Sequence, residues 1–136
     1  MTKIIIDTSV FITIFLKYSH HKGTILRIIR DFEICFSQAT FEELKQSMQK
    51  PKIRQNADYT KFAQLVPRFM YHCSYFEPTS TVIFERDPKD AKFLELARDS
   101  NANYIVSGDK DMLEFGVFEN TKIITLGEFL EKYHLN

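Results

Sequence analysis

Tryptophan is absent from this 136-residue chain, and glycine and proline occur only four times each. So few breakers argue against disorder, collagen-like repeats and long linkers. Cysteine is nearly absent too: Cys35 and Cys73 stand alone among hydrophobic residues. No CxxC and no Cys/His pair at zinc spacing occurs. A disulfide framework and a structural zinc site are therefore excluded, and two buried free thiols in a reducing compartment are expected. Net charge is also lacking, since 18 basic residues balance 18 acidic ones. No global basic field advertises a polyanionic partner, although setting a few clustered acids aside leaves the remainder basic. There is no long hydrophobic run. Lys3 precedes a mostly apolar stretch to Leu16, but Asp7-Thr8-Ser9 interrupts it and no small-residue cleavage site follows. That stretch is too short to span a bilayer, so no membrane association is expected and the cytoplasm is the default location.

What is present is an ordinary globular composition, 44% hydrophobic and 26% charged, with 13 phenylalanines to fill a core. The length suits a single domain over residues 1–136. Lys3 to Ile6 is a β-branched run too short for a helix, and predicts a central strand. Thr8 or Ser9 can cap a helix over Val10 to Lys17, and His20-His21-Lys22-Gly23 predicts a surface loop. Ile25, Leu26, Ile28, Ile29 and Phe32 recur at helical spacing. Glu33 to Phe36 predicts a strand, and Ser37 opens a helix to about Gln49 that Pro51 ends. Residues 52–73 keep a helical period, with Pro67 expected to kink or divide them. A short strand at Ser74 to Glu77 follows, then a helix with Asp87 as cap and Pro88 in its first position. Tyr104 to Ser107 and Lys122 to Thr125 predict the last strands. Thr125 and Glu128 have capping-box spacing for a terminal helix from Glu128 to Tyr133. Alternating strands and helices imply a three-layer α/β/α fold with a central parallel sheet.

Such a sheet gathers ligands at the carboxyl ends of its strands, where strand order reverses. Five acids fall there or nearby: Asp7, Glu43, Asp90, Asp109 and Asp111. Each has a plain structural explanation. Asp7 can cap a helix, Thr40 and Glu43 have capping-box spacing, and Asp90 suits the dipole of a first turn. Asp109 and Asp111 fit a glycine-containing turn. As a set, however, converging carboxylates repel unless a cation sits among them. Carboxylate oxygens without His or Cys suit Mg²⁺ or Mn²⁺ rather than zinc.

Four stretches carry a family resemblance: Ile5-Ile6-Asp7-Thr8-Ser9-Val10-Phe11, Ser37 to Leu44, Arg86 to Leu94, and Ile105 to Met112. Together they resemble the signature blocks of PIN-domain nucleases, and more narrowly the single-domain toxin components (VapC-like) of toxin–antitoxin pairs. The resemblance runs to the closing Ile123-Ile124-Thr125-Leu126-Gly127-Glu128-Phe129-Leu130. It implies that Asp7, Glu43 (rather than Glu42), Asp90 and Asp109 are the catalytic, metal-holding acids, with Asp111 a fifth, more variable one. Ser9 stands where the family more often has Asn, Ser107 where it has Ser or Thr, and Ala91 where relatives often continue the acidic run. The implied activity is Mg²⁺- or Mn²⁺-dependent hydrolysis of single-stranded RNA, leaving a 5′-phosphate and a 3′-hydroxyl. The implied partners are RNA, a small antitoxin protein and a second copy of the chain.

Lys45, Lys50, Lys52 and Arg54 follow Glu43 and can contact phosphates, although cations at a helix end are also favoured by its dipole. Tyr18, Tyr59 and Tyr71 can stack on bases, but their helical spacing favours packing. Two other functions compete. A non-catalytic RNA- or protein-binding module could retain the fold, but would be expected to lose acids. A haloacid-dehalogenase-type phosphatase needs an Asp two residues after the first, where this chain has Ser9.

Overall fold

The structure is a computed structural model that describes residues 1–18 and 22–135. His20 and His21, expected in a surface loop, lie outside the described residues. The chain runs β1 (Thr2–Ile6), α1 (Thr8–Tyr18), α2 (Lys22–Asp31), β2 (Phe32–Phe36), α3 (Gln38–Met48), α4 (Pro51–Arg54), α5 (Tyr59–Tyr71) and β3 (Ser74–Tyr75). After a 3-10 turn at Pro88–Asp90 come α6 (Ala91–Ser100), β4 (Tyr104–Val106), α7 (Lys110–Phe115), β5 (Val117–Phe118), β6 (Thr121–Ile124) and α8 (Leu126–Lys132).

The strands form one sheet in the order β3-β2-β1-β4-β6-β5. All neighbours pair in parallel except β5, which returns antiparallel to β6 at the edge. The order reverses between β1 and β4, so the crevice expected of a parallel sheet opens at their carboxyl ends. Two backbone hydrogen bonds extend the ladders to that rim: Asp7 N–H donates to Val106 O (3.0 Å) and Ser107 N–H to Ile124 O (2.9 Å).

Strand side chains alternate between two apolar layers, as the period of two requires. Ile4, Ile6, Phe32, Ile34, Phe36 and Val106 join one core with residues of α1, α2, α5 and α8. Ile5, Cys35, Ile105 and Ile123 join a second with Phe93, Leu94, Leu96 and Ala97 of α6 and Met112 of α7. This is the α/β/α sandwich that the alternating elements imply. Phenylalanine supplies much of the first layer. Phe11 stacks on Phe15 at 4.6 Å between ring centroids, and Phe69 meets Phe15 edge-on at 5.0 Å. Both cysteines are free, Cys35 fully buried and Cys73 partly so. Burial pushes their thiols up to about 11 and about 12, which makes them poor nucleophiles.

Several expectations needed correction. Phe32 begins β2 instead of ending a helix; its ring packs against Phe129 and Tyr133. The break within 52–73 falls in the turn before Tyr59. Pro67 is exposed, and α5 runs through it undivided. Pro51 ends α3 but also starts α4 at its first position, where a missing N–H costs nothing. Helix α7 and strand β5 were not anticipated, because six and two residues are too short to show a period. Helix α8 starts at Leu126, directly after its Thr125 cap. No described helix is long and apolar enough to cross a membrane.

Phe11, Phe15 and Phe62 of the aromatic layer are among the largest fully buried side chains. Phe15→Ala is expected to lower unfolding free energy by about 3–5 kcal/mol, read as a lower urea midpoint at unchanged slope. A loss under about 1 kcal/mol would show that the layer collapses around the gap.

Candidate metal centre

Asp7 is the residue after β1, and only 8% of its surface is exposed. One carboxylate oxygen, Oδ1, accepts from the Ser9 peptide (3.1 Å) and hydroxyl (3.4 Å). The other, Oδ2, accepts from the Ser107 hydroxyl at 2.7 Å. Asp7 therefore does cap α1, and the same bonds aim it into the crevice. Burial raises its pKa; the Ser107 and Ser9 bonds work against that rise, and Glu43 and Asp109 add to it.

Ser107, fully buried, also accepts from the Asp109 peptide N–H at 3.0 Å. One hydroxyl thus ties the acid after β1 to the acid beyond β4. Asp109 in turn caps α7, its Oδ1 accepting from the Asp111 (2.9 Å) and Met112 (3.1 Å) peptides. The loop expected at Asp109 to Asp111 is thus a helix start, which fixes Asp109 more firmly than a turn would.

Glu43 is not part of a capping box. Ser37 caps α3, and the reciprocal partner is Thr40: Thr40 N–H donates to Ser37 Oγ (3.2 Å) and Ser37 N–H to Thr40 Oγ1 (2.9 Å). Glu43 is left free to face the crevice one turn later. Its Oε1 accepts from Lys92 Nζ at 2.7 Å, and its Oε2 accepts from the Thr8 hydroxyl.

Asp90 closes the 3-10 turn and sits at the cap position of α6, yet makes no side-chain cap bond. Its Oδ2 is buried and has no hydrogen-bond partner among the described residues. Its pKa is raised to about 7, first by burial and then by Asp87, Asp109, Asp7 and Glu43. A carboxylate placed this way lacks a positive charge. Asp87, Asp90 and Asp109 each bring an oxygen within 4.8 Å of the other two. Sequence reasoning assigned Asp87 only to the cap, which it does form with the Lys89 peptide (3.2 Å). The available signal was the three-residue step from Asp87 to Asp90, which one tight turn folds into a pair.

Asp7, Glu43, Asp90 and Asp109 all line one open cleft of about 1220 Å³. Asp111 does not line it; it faces Arg86 Nε at 3.7 Å, and Arg86 also bonds Glu114. Lys50 and Lys52 line the cleft together with Lys89 and Lys92. Lys45 turns to Glu42 (2.8 Å) and lies over the Phe41 ring, and Arg54 is exposed outside the lining. Tyr59 packs edge-on against Phe62, and Tyr71 is exposed beside His72. Oxygen-only donors with one orphaned carboxylate oxygen among them fit a hard divalent cation.

Metal-free stability should carry the mark of Asp90. Its folded pKa lies above an unfolded value of about 4. Its contribution is then fully present below that value and is lost as pH rises through about 7. In chelator, urea unfolding should show stability declining from pH 4.5 to 8. Asp90→Asn should flatten that slope and stabilise the protein at pH 8 by about 1–2 kcal/mol, allowing for partial access to water. An unchanged pH dependence in the variant would contradict the assignment.

Comparison with known proteins agrees with this architecture. A PIN domain family model matches residues 3–111. The uncharacterized protein MJ1680 of Methanocaldococcus jannaschii is 28% identical over 114 residues, which is 82% of this chain and 73% of that protein. Among solved structures, PAE2754 from Pyrobaculum aerophilum superposes with a TM-score of 0.61 at 14% identity, covering 99% of this chain and 91% of its own. VapBC2 from Rickettsia felis, bound to a DNA fragment from their promoter, gives 0.55 at 13% identity, covering 91% and 98%. With most of its length inside the matched model and its sheet in the same architecture, the chain belongs to the PIN domain family.

Proposed function

We propose that the protein is a metal-dependent endoribonuclease, of the toxin type, that hydrolyses phosphodiester bonds in single-stranded RNA. The observation that carries this reading is the unpartnered Asp90 oxygen among four further acids at the rim of the sheet. Asp87, Asp90 and Asp109 would hold Mg²⁺ or Mn²⁺, with Asp7 beside them. Such an ion, when bound, makes a water acidic enough to attack at neutral pH and offsets charge on the phosphate.

The chain's own groups prepare that chemistry. Ser107 and Ser9 hold the Asp7 carboxylate in one orientation, so no reorganisation is needed when substrate arrives. Thr8 and Lys92 hold Glu43 across the cleft. Lys50 and Lys52 belong to the lining of the same cleft, where they can meet phosphates of the entering strand. Asp111, paired with Arg86, supports the α7 end of the site from outside. An antitoxin partner is proposed on the likeness to VapBC2, and a homodimer and a cytoplasmic location on the same toxin reading.

The test is cleavage of single-stranded RNA by purified protein free of any inhibitor. Activity should require Mg²⁺ or Mn²⁺ and stop with chelator. Asp7→Asn should cut it by a factor on the order of 10²–10³ or more while thermal unfolding stays cooperative. Wild-type protein that cuts neither RNA nor DNA with any divalent metal would sink the reading. RNA affinity indifferent to chelator, without cleavage, would favour a binding module instead. Separately, Lys50→Ala with Lys52→Ala should raise KM, leave kcat nearly unchanged and reduce the salt dependence of binding.

A further inference from the structure

The acids of the cleft are not equivalent in charge balance. Asp90 has an oxygen without a partner, and Asp87, Asp90 and Asp109 bring oxygens together. Glu43 is the opposite case. Both of its oxygens are engaged, one by the Thr8 hydroxyl and the other by the Lys92 ammonium at 2.7 Å. The Lys92 and Glu43 side chains are 24% and 26% exposed, against 32% or more for the side chains of the Lys3–Glu33, Lys45–Glu42, Arg86–Asp111 and Arg98–Glu119 pairs. Lys92 follows Asp90 by two residues and lines the same cleft. The cleft therefore already contains a cation, covalently attached, on its Glu43 side.

We propose that Lys92 takes the place of a second divalent ion. On this reading the protein holds a single ion, on the side of Asp87, Asp90 and Asp109. Glu43 is kept out of the ligand set as the counter-charge of Lys92. A half-buried carboxylate that already has an ammonium at contact distance gains little from a second cation, and the two positive charges would repel. Removing the ammonium leaves Glu43 as an unpaired acid facing the cleft, free to recruit an ion of its own. Lys92 is thus a positioning residue that sets how many metals the cleft accepts. The inference rests on the metal-dependent reading above.

A plainer role for the pair is to staple α3 to α6, which the two residues join. That role predicts a loss of stability on substitution but no change in metal count. Mn²⁺ binding separates the two, measured by calorimetry and by the electron paramagnetic resonance of free Mn²⁺, with no substrate present. Wild type should bind one Mn²⁺ per chain. Lys92→Met and Lys92→Gln should bind two, or tighten a weak second site at least tenfold. Glu43→Gln added to either variant should return the count to one, and Lys92→Arg should keep it at one. Circular dichroism checks that each variant is folded, and the Gln variant retains a hydrogen-bond donor should Met unfold the chain. Two tight ions in wild type, or a single ion in both Lys92 variants, would overturn the inference while leaving a metal-dependent nuclease intact. No bound Mn²⁺ in wild type would instead overturn the metal-dependent reading itself.

Discussion

The join between β1 and β4 at the rim of this sheet depends on the buried hydroxyl of Ser107. It donates to Asp7 at 2.7 Å and accepts from the Asp109 peptide at 3.0 Å. Asp7 and Asp109 are 102 positions apart in sequence, yet one oxygen atom spans the gap between the chain after β1 and the chain after β4. That gap is where the strand order changes direction, and Asp7 N–H to Val106 O is the last backbone bond between the two segments there among the described residues. A serine whose hydroxyl is both donor and acceptor fits the position, because one neighbour offers an acceptor and the other a donor. Alanine there would leave the Asp7 carboxylate oxygen and the Asp109 peptide N–H without the partner they share, which is costly for groups this far withdrawn from water.

From that hinge the electrostatics become uneven. Asp7 and Asp109 accept bonds from hydroxyls and peptide N–H groups, and Glu43 has an ammonium, so each carries some compensation for its charge. Asp90 has a buried oxygen with no hydrogen-bond partner among the described residues, and burial and its acidic neighbours raise its pKa to about 7. The deficit is thus concentrated at one place instead of being spread over the cleft. A cation drawn to the cleft is drawn to that side, close to Asp87 and Asp109. Preorganisation of this kind costs stability in the metal-free protein, and that cost is the reason ion binding and stability are linked.

Much of this was legible in the chain, for reasons that differ by residue. The β-branched run before Asp7 and the apolar run before Ser107 are too short for helices, so their ends had to lie at one edge of a parallel sheet. The four acids lining the cleft followed from that and from the family resemblance. Helix α7 was not legible, since six residues show no period and Asp109 to Asp111 look like a turn. Asp87 was hidden by its own adequacy as a cap. The engagement of Lys45 by Glu42, and of Lys92 by Glu43, is a matter of which rotamer reaches which neighbour, and spacing alone does not distinguish the two lysines. The exposed Pro67 did not divide α5, because losing one donor on a solvated face can be tolerated where three buried side chains, Val66, Phe69 and Met70, hold the helix down on either side.

Capping and function are often weighed as rival explanations of an acid near a helix start. Here they are the same geometry. Asp7, Asp87 and Asp109 each use one oxygen to accept from peptide N–H groups at the beginning of a helical turn. A carboxylate has two oxygens and more lone pairs than a cap consumes. The cap fixes the side chain's direction and leaves capacity that faces the cleft at Asp7 and Asp109 and meets Asp90 and Asp109 at Asp87. Three turns that start at one rim therefore deliver oriented carboxylates to a common space, as a parallel sheet with helices on both faces allows. Asp87 caps the 3-10 turn, and Asp90, at the cap position of the helix that follows, makes no side-chain cap bond and keeps a buried oxygen without a partner among the described residues. The division of labour among the acids follows from which of them the backbone needs.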